Sequence, residues 1–169
     1  SYNQYTFVDI DPALKQVSEE HFLKRKLTPN KHFVPASARA FVREHEKKYD
    51  LILLDAYTNV ISLPMEVTTR EFLVDTKKLL KDRGAIVANI IMSPTFQDKF
   101  SVRYHNTFAS VFPVFSRQVV ADYEAWKPAD DYVTMRKQAR NVLYIYFNNP
   151  LVDDKVVYTD DKNTYSLDR

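Results

Sequence analysis

Glycine occurs once in this 169-residue chain, at Gly84, where average usage of about 7% would give roughly a dozen. Glycine is the residue that lets backbone amides approach a phosphate and takes strained turns without cost. A dinucleotide fingerprint, a P-loop and a nucleophile elbow all depend on such positions, so none of them can be written here. Any nucleotide-like ligand must be held by other means.

The remaining composition is ordinary for a soluble domain. Apolar residues make up 45% and charged residues 27%, so neither a disordered tail nor a fibrous repeat describes the chain. Its length suits one domain with one core. Lys and Arg number 24 against 22 Asp and Glu, and the basic residues are interspersed with acids, which argues against nucleic acid and anionic membrane as partners. The longest apolar runs, such as 85–88, are far short of a membrane span. With no cysteine there is no disulfide, thiolate metal site or cysteine nucleophile, in keeping with a reducing cytoplasm. His21, His32, His45 and His105 lack metal-ligand spacing; His21 and His45 fall on helical stripes and are expected to be structural. Asp130-Asp131 and Asp160-Asp161 read as surface charge, and Tyr123, Trp126-Lys127-Pro128 and Tyr132 as a solvated aromatic loop or a lid.

Along the chain, β-rich apolar runs alternate with segments of helical period, the pattern of an α/β domain with a largely parallel sheet flanked by helices. Residues 5–9 (YTFVD) form the first strand candidate. Asp11 before Pro12 suits a helix cap, and Leu14, Val17, His21 and Phe22 give a helical stripe to about Arg25. After a turn at 28–30, residues 32–35 read as a strand and Ser37 as the cap of a helix burying Ala38, Phe41, Val42 and His45. Residues 50–55 contain four consecutive Leu/Ile positions and read as a strand covered on both faces. A polar loop, 57–66, leads to a helix from Thr68 or Thr69 to Leu80, and Gly84 is expected to end that helical region as C-cap glycines do. Residues 85–91 then form another buried strand, and Phe100, Tyr104, Phe108 and Val111 line a helix. Strands at 114–120 and 141–147 complete the order.

Open α/β sheets bind ligands at the carboxyl ends of their strands. Asp9 with Asp11, then Ser37, then Asp55 fall just after strands, and Asn89 lies within a strand segment. Carboxylates here can accept hydrogen bonds from ribose hydroxyls or from an amine. The bland alternatives are helix caps for Asp11 and Ser37.

Three segments carry a resemblance: FVDIDPAL from Phe7, VPASARAFVREHEKKYDLILLDAYTN from Val34, and LPMEVTTREFLVDTKKLLKDRGAIVANI from Leu63. They are similar to the middle and C-terminal parts of spermidine synthases, within the S-adenosylmethionine-type methyltransferase fold; YTDDKNTYSL near the end resembles a Thr-Asp-Asp segment of the same proteins. The resemblance implies a Rossmann-like, methyltransferase-type sheet of strand order three-two-one-four-five-seven-six. In this chain the match starts at the second strand, so the first strand and its glycine-rich loop are expected to be missing, and residues 1–169 read as a single domain that is a C-terminal fragment of a longer protein or a shortened relative. The strands beginning at Tyr5 and Asp50 then either become neighbours or leave a gap that another chain fills, as in a homodimer.

Carried over by residue, the resemblance makes Asp9 the acceptor of ribose hydroxyls. Ser37, followed by Ala38, stands beside the adenine where the family has Asp in a Gly-Asp-Ala stretch, a loss that weakens cofactor binding. Asp55 matches the first carboxylate of an Asp-Ser-Ser-Asp-Pro motif and accepts the attacking amine's proton, with Tyr57 and Thr58 at substrate-binding positions. Thr58 replaces the motif's second Asp. The implied reaction is aminopropyl transfer from decarboxylated S-adenosylmethionine, a co-substrate and not a tightly held cofactor, to a diamine such as putrescine. The amine must attack unprotonated, and neutralising an alkylamine of pKa near 10.4 at pH 7 costs roughly 4.6 kcal/mol, so a positioned carboxylate has a task in orientation and proton acceptance. The alternatives are an S-adenosylmethionine-dependent methyltransferase, or a non-catalytic domain whose cofactor site is incomplete. A haloacid dehalogenase-type phosphatase is a further reading of Asp9-Ile10-Asp11, opposed by Pro12 where that family needs a flexible turn.

Overall fold

The computed structural model describes residues 3–58, 63–120 and 139–149; the aromatic and acidic positions noted between 123 and 132, Asp160-Asp161 and the C-terminal resemblance lie outside them. Six strands and four α-helices alternate through most of the described chain. Strands β1 (Tyr5–Asp9) and β2 (Lys31–Pro35) pair in parallel, with Phe7 opposite Phe33 and Asp9 opposite Pro35. Strand β3 (Tyr49–Leu54) pairs in parallel with β4 (Leu80–Met92). Beyond β4 lie β6 (Arg140–Phe147) and β5 (Ser116–Val119), both antiparallel to their neighbours. The order is therefore β1-β2 in one sheet and β3-β4-β6-β5 in another.

This split decides between the two arrangements expected of the strands at Tyr5 and Asp50: they do not become neighbours. Among the described residues β1 and β3 each keep one edge without a strand partner. The two sheets touch through the Tyr49 hydroxyl, which donates to Thr6 Oγ1 at 3.4 Å, and through α2 (Ala38–Glu44), which packs near β1 and α3.

The core lies between one face of the larger sheet and helices α3 (Arg70–Lys78) and α4 (Lys99–Ala109). Alternate residues Ile86, Ala88, Ile90 and Met92 of β4 and Val142, Tyr144 and Tyr146 of β6 point into it, against Phe72, Leu73, Tyr104, Phe108 and Phe112. Burying each large apolar side chain contributes about 1.5–3 kcal/mol. The rings interlock, Phe108 to Phe112 at 4.5 Å, Phe108 to Tyr144 at 4.9 Å and Phe112 to Tyr146 at 4.7 Å. Helix starts follow their side-chain caps: Ser37 Oγ accepts from the Ala40 amide, Thr69 Oγ1 from that of Phe72, and Asp98 from that of Ser101.

Several expectations are corrected. Strand β3 is not covered on both faces, since Leu51 and Leu53 are 52% and 66% exposed; the helices packed on β3 and β4 leave the opposite face without a layer among the described residues. Helix α3 stops at Lys78, and Gly84 lies inside β4 and is not a cap. The left-handed residue there is Arg83 (φ 63°). Gly84 is needed for space instead: a Cβ would sit 2.9 Å from the carbonyl oxygens of both Lys81 and Tyr49. The helix after Asp11 is one α-turn, α1 (Leu14–Val17), running into a π-helical segment, Ser18–Leu23, that ends at Lys24 (φ 52°). Its stripe faces outward, with Phe22 and His21 exposed and Glu19 the buried residue. Phe100, in the first turn of α4, is also exposed.

Candidate functional site

Asp9 ends β1, and its position is set by the sheet. Its carbonyl oxygen accepts from the Ala36 amide at 2.9 Å, which draws the end of β1 against the start of α2 and brings Asp9 beside Ser37. One carboxylate oxygen accepts from the Asp11 amide at 2.9 Å; the other has no partner among the described residues. Asp11 in turn accepts from the Ala13 amide, so it shapes the turn as a cap-like residue and takes no part in the site. Ser37 Oγ is the α2 cap, at 3.2 Å from the Ala40 amide.

Asp55 leaves the end of β3 in the parallel strand next to Asn89. Asn89 Nδ2 donates to Asp55 Oδ1 at 3.0 Å. The Tyr57 hydroxyl donates to the Asn89 carbonyl at 2.8 Å and accepts from the Ile91 amide at 3.2 Å. Burial pushes the Tyr57 hydroxyl's pKa up, and the Asp55 charge adds to this against the opposing Ile91 hydrogen bond. The phenol therefore keeps its proton through the neutral range. Thr58 follows, exposed at the rim.

The two clusters meet at α2. Ala38, in the first turn after Ser37, lines a small apolar cavity together with Leu54, Ala56 and Phe72, so the residues on either side of Asp55 share that wall with the residue after the Ser37 cap. Arg39 extends the clamp, donating to Thr69 Oγ1 at 2.7 Å and to the Glu66 carbonyl at 3.3 Å. Asp9 therefore lies near the start of α2 with Ser37 and Ala38, while Asp55, Tyr57 and Asn89 are linked by hydrogen bonds at the end of β3, with Thr58 next in the chain. Asn89 is legible in the sequence as a polar residue in an apolar strand, but its pairing with Asp55 depends on β3–β4 register. Among the described residues no cluster of three His or acidic side chains could hold a metal ion, and no helix is long and apolar enough to cross a membrane.

The sheet is less parallel than the sequence pattern suggests, since β1-β2 and β3-β4 pair in parallel but β4-β6 and β6-β5 are antiparallel. The α/β arrangement with carboxylates at the ends of parallel strands is that of a Rossmann-like domain, a fold whose ligand sites commonly lie at those ends. Comparison with known proteins gives the family. The model of the spermine/spermidine synthase domain matches residues 1–126, and the chain belongs to that family. A polyamine aminopropyltransferase of Vibrio vulnificus is 34% identical over 108 residues, covering 62% of this chain and 36% of that protein. A probable spermidine synthase from Corynebacterium glutamicum superposes with a TM-score of 0.64 at 19% identity, over 96% of this chain and 51% of that one. Human methyltransferase-like protein 13, in complex with SAH, superposes with a TM-score of 0.64 at 14% identity, over 96% and 77%. These likenesses bear out the methyltransferase-type fold. The chain spans about a third of the length of the Vibrio relative and about half of the Corynebacterium structure.

Proposed function

We propose that the protein to which this chain belongs transfers an aminopropyl group from decarboxylated S-adenosylmethionine to a diamine such as putrescine, with Asp55 receiving the attacking amine. The observation that carries this reading is Asp55 at the carboxyl end of β3, held through Asn89 in a chain of the spermine/spermidine synthase family. A carboxylate so fixed orients a primary amine through the amine's N–H groups and takes its proton as the C–N bond forms, the C–S bond of the sulfonium breaks and methylthioadenosine leaves. The unpartnered oxygen of Asp9 suits a ribose hydroxyl, and Ser37 and Ala38 flank the adenine position. Support for an adenosyl co-substrate comes from the SAH bound by the human neighbour. Tyr57 and Thr58 belong to the amine side, and a cytoplasmic location fits a small-molecule enzyme without cysteines.

Ser37 Oγ is already occupied as a cap, and one glycine gives no cradle of backbone amides, so the chain on its own should bind adenosyl ligands weakly or not at all. Calorimetry with decarboxylated S-adenosylmethionine and with methylthioadenosine measures this; micromolar binding would refute it. Product analysis of the whole protein to which the chain belongs, with putrescine and either co-substrate, tests the activity. An aminopropylated product is expected, whereas a methylated product would establish the methyltransferase alternative and no consumption of either co-substrate would favour the non-catalytic one.

A further inference from the structure

Strands β3 and β4 run in parallel register from Leu51 opposite Ala85 to Leu54 opposite Ala88. Continued for two residues, this register would set Asp55 opposite Asn89 and Ala56 opposite Ile90. In a parallel ladder the residue opposite Ile90 would donate its N–H to the Asn89 carbonyl and accept from the Ile91 amide. The chain instead leaves the sheet after Leu54, which would orphan both groups at a cost of about 1–3 kcal/mol each. The Tyr57 hydroxyl meets both of them, donating to the Asn89 carbonyl at 2.8 Å and accepting from the Ile91 amide at 3.2 Å. A phenol can do this because one oxygen is both donor and acceptor.

Asn89 shows a second sign of a constrained arrangement. Its Oδ1 is buried and has no hydrogen-bond partner, a state that costs free energy. Reversing the amide would place that oxygen against the Asp55 carboxylate and lose the 3.0 Å bond from Nδ2. The amide orientation is therefore set by Asp55, at the expense of its own oxygen.

We infer that Tyr57 and Asn89 are positioning residues that replace one missing rung of the β3–β4 ladder and hold Asp55 out of the sheet in a single orientation. Tyr57 anchors the departing loop by its hydroxyl, and Asn89 anchors the carboxylate. This rests on the functional reading above for what Asp55 does, and on the geometry alone for what holds it. The hydroxyl of Tyr57 is thereby committed to backbone, which leaves its ring, and not its oxygen, to meet a substrate.

The test is amide exchange by NMR on the 169-residue chain, joined to kinetics of aminopropyl transfer to putrescine by the whole protein to which the chain belongs, the wild type and variants compared in that form. In Tyr57→Phe the Ile91 amide should exchange about tenfold faster, with Ile86 and Ala88 on the same strand unchanged. In Asp55→Ala the Asn89 side-chain amide resonances should move. In the transfer reaction Tyr57→Phe and Asn89→Leu should each lower kcat about tenfold while KM for decarboxylated S-adenosylmethionine stays within twofold, and Asn89→Gln should restore part of the loss. Unchanged exchange at Ile91, unmoved Asn89 resonances, or a loss confined to KM would overturn the inference. Should the wild-type protein transfer nothing, the functional reading fails, and the two NMR measurements still decide the brace.

Discussion

At the scale of single residues, a chain with one glycine must put other residues where glycine usually sits. Lys24, Arg83 and Phe96 all adopt left-handed backbone, at φ 52°, 63° and 60°, each at a cost of about 1–2 kcal/mol. Lys24 ends the π-helical turn with an exposed side chain, so Lys24→Gly should stabilise the fold by about 0.5–1 kcal/mol after the added chain entropy is counted. Phe96 differs because its ring lies under the Arg117 guanidinium at 4.3 Å and against His105, contacts that a glycine would remove. Gly84 is the converse case. The atoms a Cβ would meet are backbone carbonyls, which cannot swing aside, and Gly84→Ala should destabilise by about 1–3 kcal/mol. Urea denaturation reads both changes; a stabilised Gly84→Ala or a destabilised Lys24→Gly would show the geometry misjudged. In the site, Asp55→Asn keeps the size and removes the charge, so turnover of the proposed transfer should fall about a hundredfold. Asp9→Asn should act mainly on co-substrate affinity.

At the scale of elements, two polar groups tie helices and turns to the fold and should appear in its pH dependence. The Glu19 carboxyl accepts from the Leu27 amide at 2.8 Å and pairs with Lys26 at 3.0 Å, which closes the loop after the π-helical turn. These contacts hold its pKa below the ordinary 4.5. The stability it contributes is present above that value and lost as pH falls through the lower, folded one. His105, on α4, meets the Tyr144 hydroxyl of β6 at 3.2 Å. Burial, followed by the charge of Arg117, holds its pKa below 6.5. The unfolded chain therefore takes up a proton first, and stability should already decline as pH drops below about 6.5. Thermal melts from pH 8 to 3 should show both declines, with His105→Gln removing the upper one and Glu19→Gln the lower. A melting temperature flat between pH 7 and 5 would contradict the His105 assignment.

At the scale of the whole molecule, the edges of β1 and β3 that have no strand partner among the described residues dominate. Unpaired strand edges recruit other strands, and here they come with exposed apolar side chains: Tyr5 and Phe7 on β1, Leu51 and Leu53 on β3. The chain alone should self-associate. Light scattering across a concentration series is expected to report masses of a dimer or larger, and a strict monomer at high concentration would reject this.

What the sequence determined by itself was the order and type of most elements and the strand ends that carry Asp9 and Asp55. Those follow from period and capping, which are local: Tyr104 and Phe108 are buried on one helix face, Ser37 caps α2, the next helix starts after Thr69, and strands form within the β-rich runs. The segments quoted from Phe7 to Ile90 also carried the family. What only the tertiary structure decided depends on which surfaces meet. Four Leu/Ile positions in a row look alike whether one face or both are covered, so the exposure of Leu51 and Leu53 was not legible. Nor was the reason for Gly84, because its neighbours Lys81 and Tyr49 approach through sheet pairing and not through the local turn. The brace on Asp55 is of the same kind, since Tyr57, Asn89 and Ile91 become partners only when β3 and β4 settle into register and the chain leaves the ladder one rung early.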